Sequence, residues 1–253
     1  MARRRFFAPP ESFRRDQTVM LASDEAQHMR GVLRLKPGDE VFVFDGEGRE
    51  YLCSIESLRR DAAALSLIRE VEPQSPESPL DLRLALALLK GEKFDLTVQK
   101  ATELGAYSIV PVMTKLSDIR LRDERDAEKR TLRWRRIALE AAKQSGRAQL
   151  PVIEEPLGLD SLFERASHTP EEPCLMFSER GGQSLAEAFA QSSVRPQSLT
   201  ALIGSEGGWT DEEIESGRKS GWAVITLGGR ILRAETAAIA VTALLQHLFG
   251  DLR

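Results

Sequence analysis

The sequence predicts an α/β protein in two parts: a small β-rich amino-terminal domain, then a larger domain whose parallel strands alternate with helices. Three observations carry this reading. Short Val-, Phe- and Leu-rich runs separated by turn signals fill the chain before residue 72, a proline-rich break follows at 73–80, and apolar strands then alternate with helix-period segments. With 253 residues, 42% of them hydrophobic and 29% charged, the chain has enough interior for a packed core and resembles neither a disordered nor a fibrous protein.

In the first domain, residues 1–72, strands are predicted at Thr18–Leu21, Val41–Phe44, Tyr51–Ile55 and Ala63–Ile68, punctuated by Lys36-Pro37-Gly38-Asp39 and Asp45-Gly46. A β-barrel or sandwich is the natural outcome, with Phe6 and Phe7 packing in a first strand. Pro73, Pro76 and Pro79, set among Ser and Glu, predict a linker over 73–80 that neither packs nor continues a helix.

The second domain, 81–253, opens with Leu82–Leu89, a buried strand whose Leu/Ala content also suits a helix. Glu92–Leu104 reads as a helix with Phe94, Val98 and Ala101 on one face and Gly105 as its terminator. After a strand at Ser108–Val112, the segment Ala127–Ser145 repeats Trp134, Ile137, Ala138, Ala141 and Ser145 at helical spacing, and sets Arg133, Arg136, Glu140, Lys143 and Arg147 on the opposite face. Strands at Cys174–Phe177, Leu199–Ile203 and Ala223–Leu227 each run into a glycine-containing loop. A final Ala-rich helix reaches Phe249, with small apolar residues on several faces, as at a subunit interface.

Net charge is −4, which argues against a protein that coats nucleic acid, but the charge is unevenly placed. Residues 1–36 hold eight basic and four acidic side chains and residues 120–147 ten and five, whereas 149–220 hold five basic and thirteen acidic. Two basic regions meeting a polyanion fit this pattern. Cys53 and Cys174 stand alone, and His28, His168 and His247 are far apart, so no zinc spacing can be assembled and no metal is expected. No apolar run reaches the roughly 18–20 residues of a membrane span, and the start MARRRFF lacks a secretory signal, so a cytoplasmic protein is expected.

Two loops have the makings of a site. Gly204-Ser205-Glu206-Gly207-Gly208 follows an apolar strand and precedes Thr210-Asp211-Glu212-Glu213, a capping box; glycine there lets a ligand lie against the main chain. Leu227-Gly228-Gly229-Arg230-Ile231-Leu232-Arg233 repeats the arrangement, with Glu235 just beyond. Neither loop is a GxGxxG dinucleotide fingerprint, and no GxxxxGK[ST] phosphate loop exists. Ligands of parallel sheets collect beyond the carboxyl ends of the strands, where both loops would lie.

The segments KGEKFDLTVQKATELGAYSIVPV (Lys90–Val112), RWRRIALEAAKQSGR (Arg133–Arg147), LIGSEGGWTDEEIE (Leu202–Glu215) and LGGRILRAETAAIAV (Leu227–Val241) resemble the RsmE family, 16S ribosomal RNA uridine-N3 methyltransferases of the SPOUT class. RRRFF (Arg3–Phe7) and LRLKPGDEVFVFDGEG (Leu33–Gly48) resemble that family's amino-terminal domain, so the likeness spans nearly the whole chain. It implies a SPOUT-type parallel sheet flanked by helices with a carboxyl-terminal trefoil knot, a PUA-like β-barrel that binds RNA, a homodimer, and S-adenosylmethionine as cofactor. The cofactor residues it implies are Phe177, Ser178 and Glu179 in a first loop, Ile203, Gly204, Glu206, Gly207 and Gly208 in a second, and Leu227, Gly228, Ile231, Leu232 and Arg233 in a third.

For the implied reaction, an in-line displacement that needs no metal, the uridine imide must lose its proton. Arg233 is expected to stabilise the developing anion, with Glu206, or in second place Glu235, as base. Arg3, Arg4, Arg5, Lys93, Arg133, Arg136, Lys143 and Arg147, with Lys100 as an extension, are expected to hold phosphates of 16S ribosomal RNA within the small ribosomal subunit. A related SPOUT enzyme with another RNA target, and a non-catalytic RNA-binding or ribosome-assembly protein, remain the alternatives.

Overall fold

Alternating buried residues in β1 (Arg5–Phe7), β2 (Thr18–Leu21), β3 (Glu40–Phe44), β4 (Glu50–Leu58) and β5 (Ala63–Val71) build a five-stranded sheet in the order β1-β3-β4-β5-β2. Only the β1–β3 pair is parallel. The structure, a computed structural model, describes residues 3–165, 169, 171–190 and 194–252; His168 lies outside them. Register shifts at Leu52/Cys53 and Ile55/Ser57 bend β4 and curl the sheet around Phe6, Val19, Val41, Val43, Ile55 and Leu65. Pairing among the described residues ends at β1 and β2, so the expected barrel is a curled sheet. The short helix α1 (Ser23–Gln27) covers it with Ala26. Phe6 is buried and Phe7 lies 5.4 Å from the Phe44 ring, so both phenylalanines serve packing.

This sheet belongs to one of two units, Met1–Glu77 with Ala142–Leu150; the other is Ser78–Ala141 with Pro151–Arg253. Within the first, the Glu50 side chain is wholly buried and accepts from Arg5 Nε at 3.1 Å and from the Gln74 amide at 2.9 Å. Arg5 also donates to the carbonyls of Ala142, Lys143 and Arg147. Arg147 pairs with Glu77 at 2.8 Å, and Ser75 Oγ donates to the Ser145 carbonyl at 3.0 Å. The proline-rich segment is therefore pinned by polar contacts, contrary to the expectation of an unpacked linker. Its other end, Leu80, is buried in the second unit.

The second unit comprises β6 (Asp81–Ala87), α2 (Lys93–Glu103), β7 (Ser108–Met113), most of α3 (Glu124–Ser145), β8 (Val152–Ile153), β9 (Leu157–Gly158), α4 (Leu159–Arg165), β10 (Cys174–Phe177), α5 (Leu185–Phe189), β11 (Ser198–Ile203), α6 (Asp211–Lys219), β12 (Ala223–Ile225) and α7 (Ala234–Phe249). Its strands form one sheet in the order β12-β10-β11-β6-β7-β8, with β9 also on β7, and every pairing is parallel. Leu82–Leu89 is thus a strand continued by apolar chain. Both sheet faces are covered, which explains the unbroken apolar runs. Leu82, Leu84 and Leu86 pack with Phe94, Val98, Trp134, Ala238 and Val241 on one side. Ala85, Met176 and Leu202 pack with Phe163, Trp209, Ile214 and Trp222 on the other. No helix among the described residues is long and apolar enough to cross a membrane.

Candidate functional site

Parallel registration brings the carboxyl ends of three neighbouring strands level: Phe177 lies opposite Ile203 on one side and Ile225 on the other. The chain leaves all three at the same height, so the loops that follow converge on one edge of the sheet. They enclose a cavity of about 490 Å3, within the ~300–1,000 Å3 range of small-molecule sites. Phe177, Ser178, Glu179, Ile203, Gly204, Glu206, Gly207, Gly208, Leu227, Gly228, Ile231, Leu232 and Arg233 all line it. Ser205, Trp209, Thr226 and Arg230 line it too, as does Lys93 from the start of α2.

Close approach, of an indole ring in one case and of backbone in the other, explains two of the glycines. A Cβ on Gly204 would stand 3.0 Å from the Trp209 ring, which lies under the second loop and donates from Nε1 to the Phe177 carbonyl at 2.8 Å. One indole thereby ties the second loop to the end of the first strand. A Cβ on Gly182 would sit 2.7 Å from the Ile225 carbonyl carbon and 2.8 Å from the Thr226 nitrogen, so the first loop rests on the backbone that begins the third. Because backbone cannot swing aside, Gly182→Ala is expected to cost about 1–3 kcal/mol, the usual overpacking penalty, read as a lowered denaturation midpoint. An unchanged midpoint would contradict the close packing of these loops.

The second loop is also held by charge. Lys93 Nζ lies 2.9 Å from Glu206 Oε1, which accepts the Lys90 amide at 3.3 Å as well. Burial pushes the Glu206 carboxyl up, but hydrogen bonds from Lys93 and from the amides of Glu206 and Lys90 outweigh it and hold the group below the usual glutamate range. Glu206 is thus a firmly ionised, partnered carboxylate and a weak proton acceptor. Downstream, the predicted Thr210–Glu213 capping box is present, and Glu213 also accepts the Lys115 amide at 2.8 Å.

Arg233 occupies the N-cap position of α7, is exposed, and makes no side-chain hydrogen bond to a described residue. Glu235, in the first turn, has a buried Oε2 without a hydrogen-bond partner among the described residues. Ser205 is in the same condition: it lines the cavity with 6% exposure and its buried Oγ has no partner among them. Burial pushes the thiols of Cys53 and Cys174 up to about 12 and about 11, so neither is a nucleophile near neutral pH.

The basic residues expected at phosphates fall into two groups. Arg4, Arg133 and Arg136 are exposed, although Arg133 also pairs with Asp95 through Nε at 2.9 Å. Arg3 and Arg5 are engaged by Glu50, Lys143 pairs with Glu25, and Arg147 is buried against Glu77. The anticipated basic face keeps Arg133, Arg136 and Lys143 on one helix but loses Arg147, because the helix ends at Ser145 and Gly146 (φ +88°) turns the chain, which takes Arg147 off the helical spacing. Lys93 faces the cavity, and Lys100 pairs with Glu103 at 2.8 Å.

Comparison with known proteins matches residues 76–246 to an RNA methyltransferase domain and residues 21–68 to an RNA methyltransferase PUA domain. The chain is 34% identical over 248 residues to ribosomal RNA small subunit methyltransferase E of Synechocystis, covering 98% of this chain and 78% of that protein. Identity to the Bacillus subtilis protein of that name is 31% over 226 residues, covering 88% and 87%. A crystal structure of the Neisseria gonorrhoeae protein of that name, bound to S-adenosyl methionine, superposes with a TM-score of 0.87 at 31% identity over 100% of both chains. A methyltransferase from Legionella pneumophila in complex with the same cofactor gives 0.88 at 30% identity, again over 100% of both.

Proposed function

This chain belongs to the RNA methyltransferase family that includes ribosomal RNA small subunit methyltransferase E, and from that premise we propose that it methylates N3 of a uridine in small-subunit ribosomal RNA with S-adenosylmethionine as donor. The observation that carries the reading is the convergence of three loops on one cavity at the carboxyl edge of a parallel sheet. The residues present fit the donor. Gly207 is exposed and Gly208 half-buried at the cavity wall, the cavity has the right order of size, and Ser205 Oγ lacks a partner among the described residues.

S-adenosylmethionine would be held by these loops and supplies, when bound, an electrophilic methyl group on a sulfonium. The chain's own part is alignment, exclusion of water and management of one proton. Arg233, with no internal partner among the described residues, stabilises negative charge on the uracil oxygens as N3 loses its proton. Glu206, committed to Lys93, fixes the second loop rather than taking that proton; Glu235, the other candidate base, is not among the residues that line the cavity, and its Oε2 is buried. Exposed Ile231, Leu244 and Leu248 on the third loop and α7 support a homodimer formed through this face. The position of β10 between the later strands β11 and β12 supports the trefoil knot. An RNA substrate within the small ribosomal subunit assigns the reaction to the cytoplasm.

The test is transfer from labelled S-adenosylmethionine to unmodified small subunits, followed by nucleoside analysis. 3-Methyluridine is the expected product; a methyl group on any other atom, or donor binding without transfer, overturns the assignment. Because the Glu206 carboxyl is held low, it stays ionised throughout neutral pH and loses its charge only as pH falls through that lowered value. Glu206→Gln is therefore expected to raise KM for the donor and leave the single-turnover rate at saturating donor in place. A single-turnover rate lowered about 10²-fold or more would identify Glu206 as the base.

A further inference from the structure

The amino-terminal unit carries a basic, apolar-tipped hook that takes no part in the cavity. After α1 the chain makes a π-helical turn over His28–Val32, and the five residues from Arg30 to Arg34 are all exposed. Both roots of the hook are fixed. Met29 is 0% and Leu35 5% exposed in the core of the unit, and the Leu35 amide donates to the Met29 carbonyl at 2.9 Å. Between these anchors, Val32 is 70% and Leu33 38% exposed, two adjoining aliphatic side chains held out in water. Arg34 has φ +54°, the left-handed region that a side chain with a Cβ seldom adopts, and such strain persists where the surroundings impose it. Arg30, Arg34 and Lys36 are exposed and make no side-chain hydrogen bond or ion pair to a described residue.

We propose that this hook is an RNA contact in which Arg30, Arg34 and Lys36 bind phosphates while Val32 and Leu33 press against an unstacked base. The inference rests on the reading of the chain as an RNA methyltransferase. Uncompensated cations on both sides of an aliphatic tip match a polyanion with exposed bases, since apolar wedges are a recurrent way of engaging unstacked bases and single-stranded RNA presents its bases splayed. The distribution of charge points the same way. Arg3 and Arg5 are taken up by Glu50, which leaves Arg30, Arg34 and Lys36 on the hook, with Arg4, Arg14 and Arg15, as the exposed cations of this end of the chain.

The experiment measures binding of the full chain to protein-free small-subunit ribosomal RNA and to unmodified small subunits across a salt series, with donor affinity measured separately. Two variants separate the parts: the pair Arg30→Gln with Arg34→Gly, and Val32→Ser. Arg34→Gly removes the charge at a φ that glycine adopts without strain, and the salt slope separates a lost phosphate contact from a loosened backbone, which leaves the slope unchanged. The pair is expected to weaken RNA binding about tenfold and to flatten the slope of log affinity against log salt by about 1.4, since each phosphate of a single strand left without its cation takes about 0.7 from that slope. Val32→Ser is expected to weaken binding about threefold with the slope unchanged, and donor affinity stays constant in both. Variants that bind RNA as the unaltered chain does overturn the hook alone. Normal binding to protein-free RNA with loss confined to whole subunits makes the hook a protein contact and overturns it too. An unaltered chain that binds the donor but not the RNA overturns both the hook and the substrate reading.

Discussion

Arg233→Ala is expected to lower the single-turnover rate of methyl transfer by about 10²–10³-fold, the usual effect of removing one preorganised group that stabilises a developing oxyanion. Under the role proposed for Arg233 the loss should appear in kcat, because the negative charge to be stabilised grows only as the imide proton leaves. A structural explanation is disfavoured by the arginine's position. It is the N-cap residue of α7, yet its side chain makes no capping hydrogen bond, so truncation takes nothing from the helix. Arg233→Lys keeps the charge but not the planar fork of donors, and should recover only part of the rate. Rapid-quench measurement with labelled donor at saturating concentration checks this; an unchanged rate constant would remove Arg233 from the chemistry.

Glu50→Ala is expected to destabilise the amino-terminal unit by about 3–5 kcal/mol, the penalty for leaving one partner of a buried ion pair uncompensated. The Glu50 side chain is 0% and that of Arg5 3% exposed, so water cannot replace the missing carboxylate. Arg5 would keep its bonds to the carbonyls of Ala142, Lys143 and Arg147, but these carry no full negative charge. Replacing both members, Arg5→Met with Glu50→Leu, should recover part of the loss, since apolar residues of similar size often substitute for a buried pair at little penalty. Denaturant unfolding of the single and double variants measures the difference. A Glu50→Ala midpoint equal to that of the unaltered chain would mean that the pair contributes nothing.

The fold is legible where periodicity and punctuation agree. The buried strands after residue 80 read as unbroken apolar runs because parallel sheets are covered on both faces, and helices α2, α3 and α7 are long enough to show their repeat. Elements of two to seven residues, such as β8, β9 and α4, leave no such trace, because their stability comes from tertiary contacts rather than from local pattern. The loops of the site can be found from glycines following apolar strands. Its polar wiring cannot. Lys93 and Glu206 are 113 positions apart, and Arg5 reaches across 45 positions to Glu50, distances at which sequence carries no signal of pairing. Helical spacing even misleads, since it keeps Arg147 on α3 when Gly146 has already turned the chain. Trp209 and Ser205 leave no mark in the sequence because an indole packed beneath a loop and a hydroxyl without a partner are facts of three-dimensional placement.

The indole that bonds to the Phe177 carbonyl also gives the protein an intrinsic optical reporter. Of the chain's three tryptophans, Trp209 alone forms part of the cavity wall; Trp134 stacks on Phe94 with ring centroids 4.2 Å apart, and Trp222 meets Phe163 at 5.5 Å. Emission from Trp209 is therefore sensitive to what occupies the space beside it, while the other two supply a constant background. Loading of the cavity can be followed in real time on the unlabelled protein.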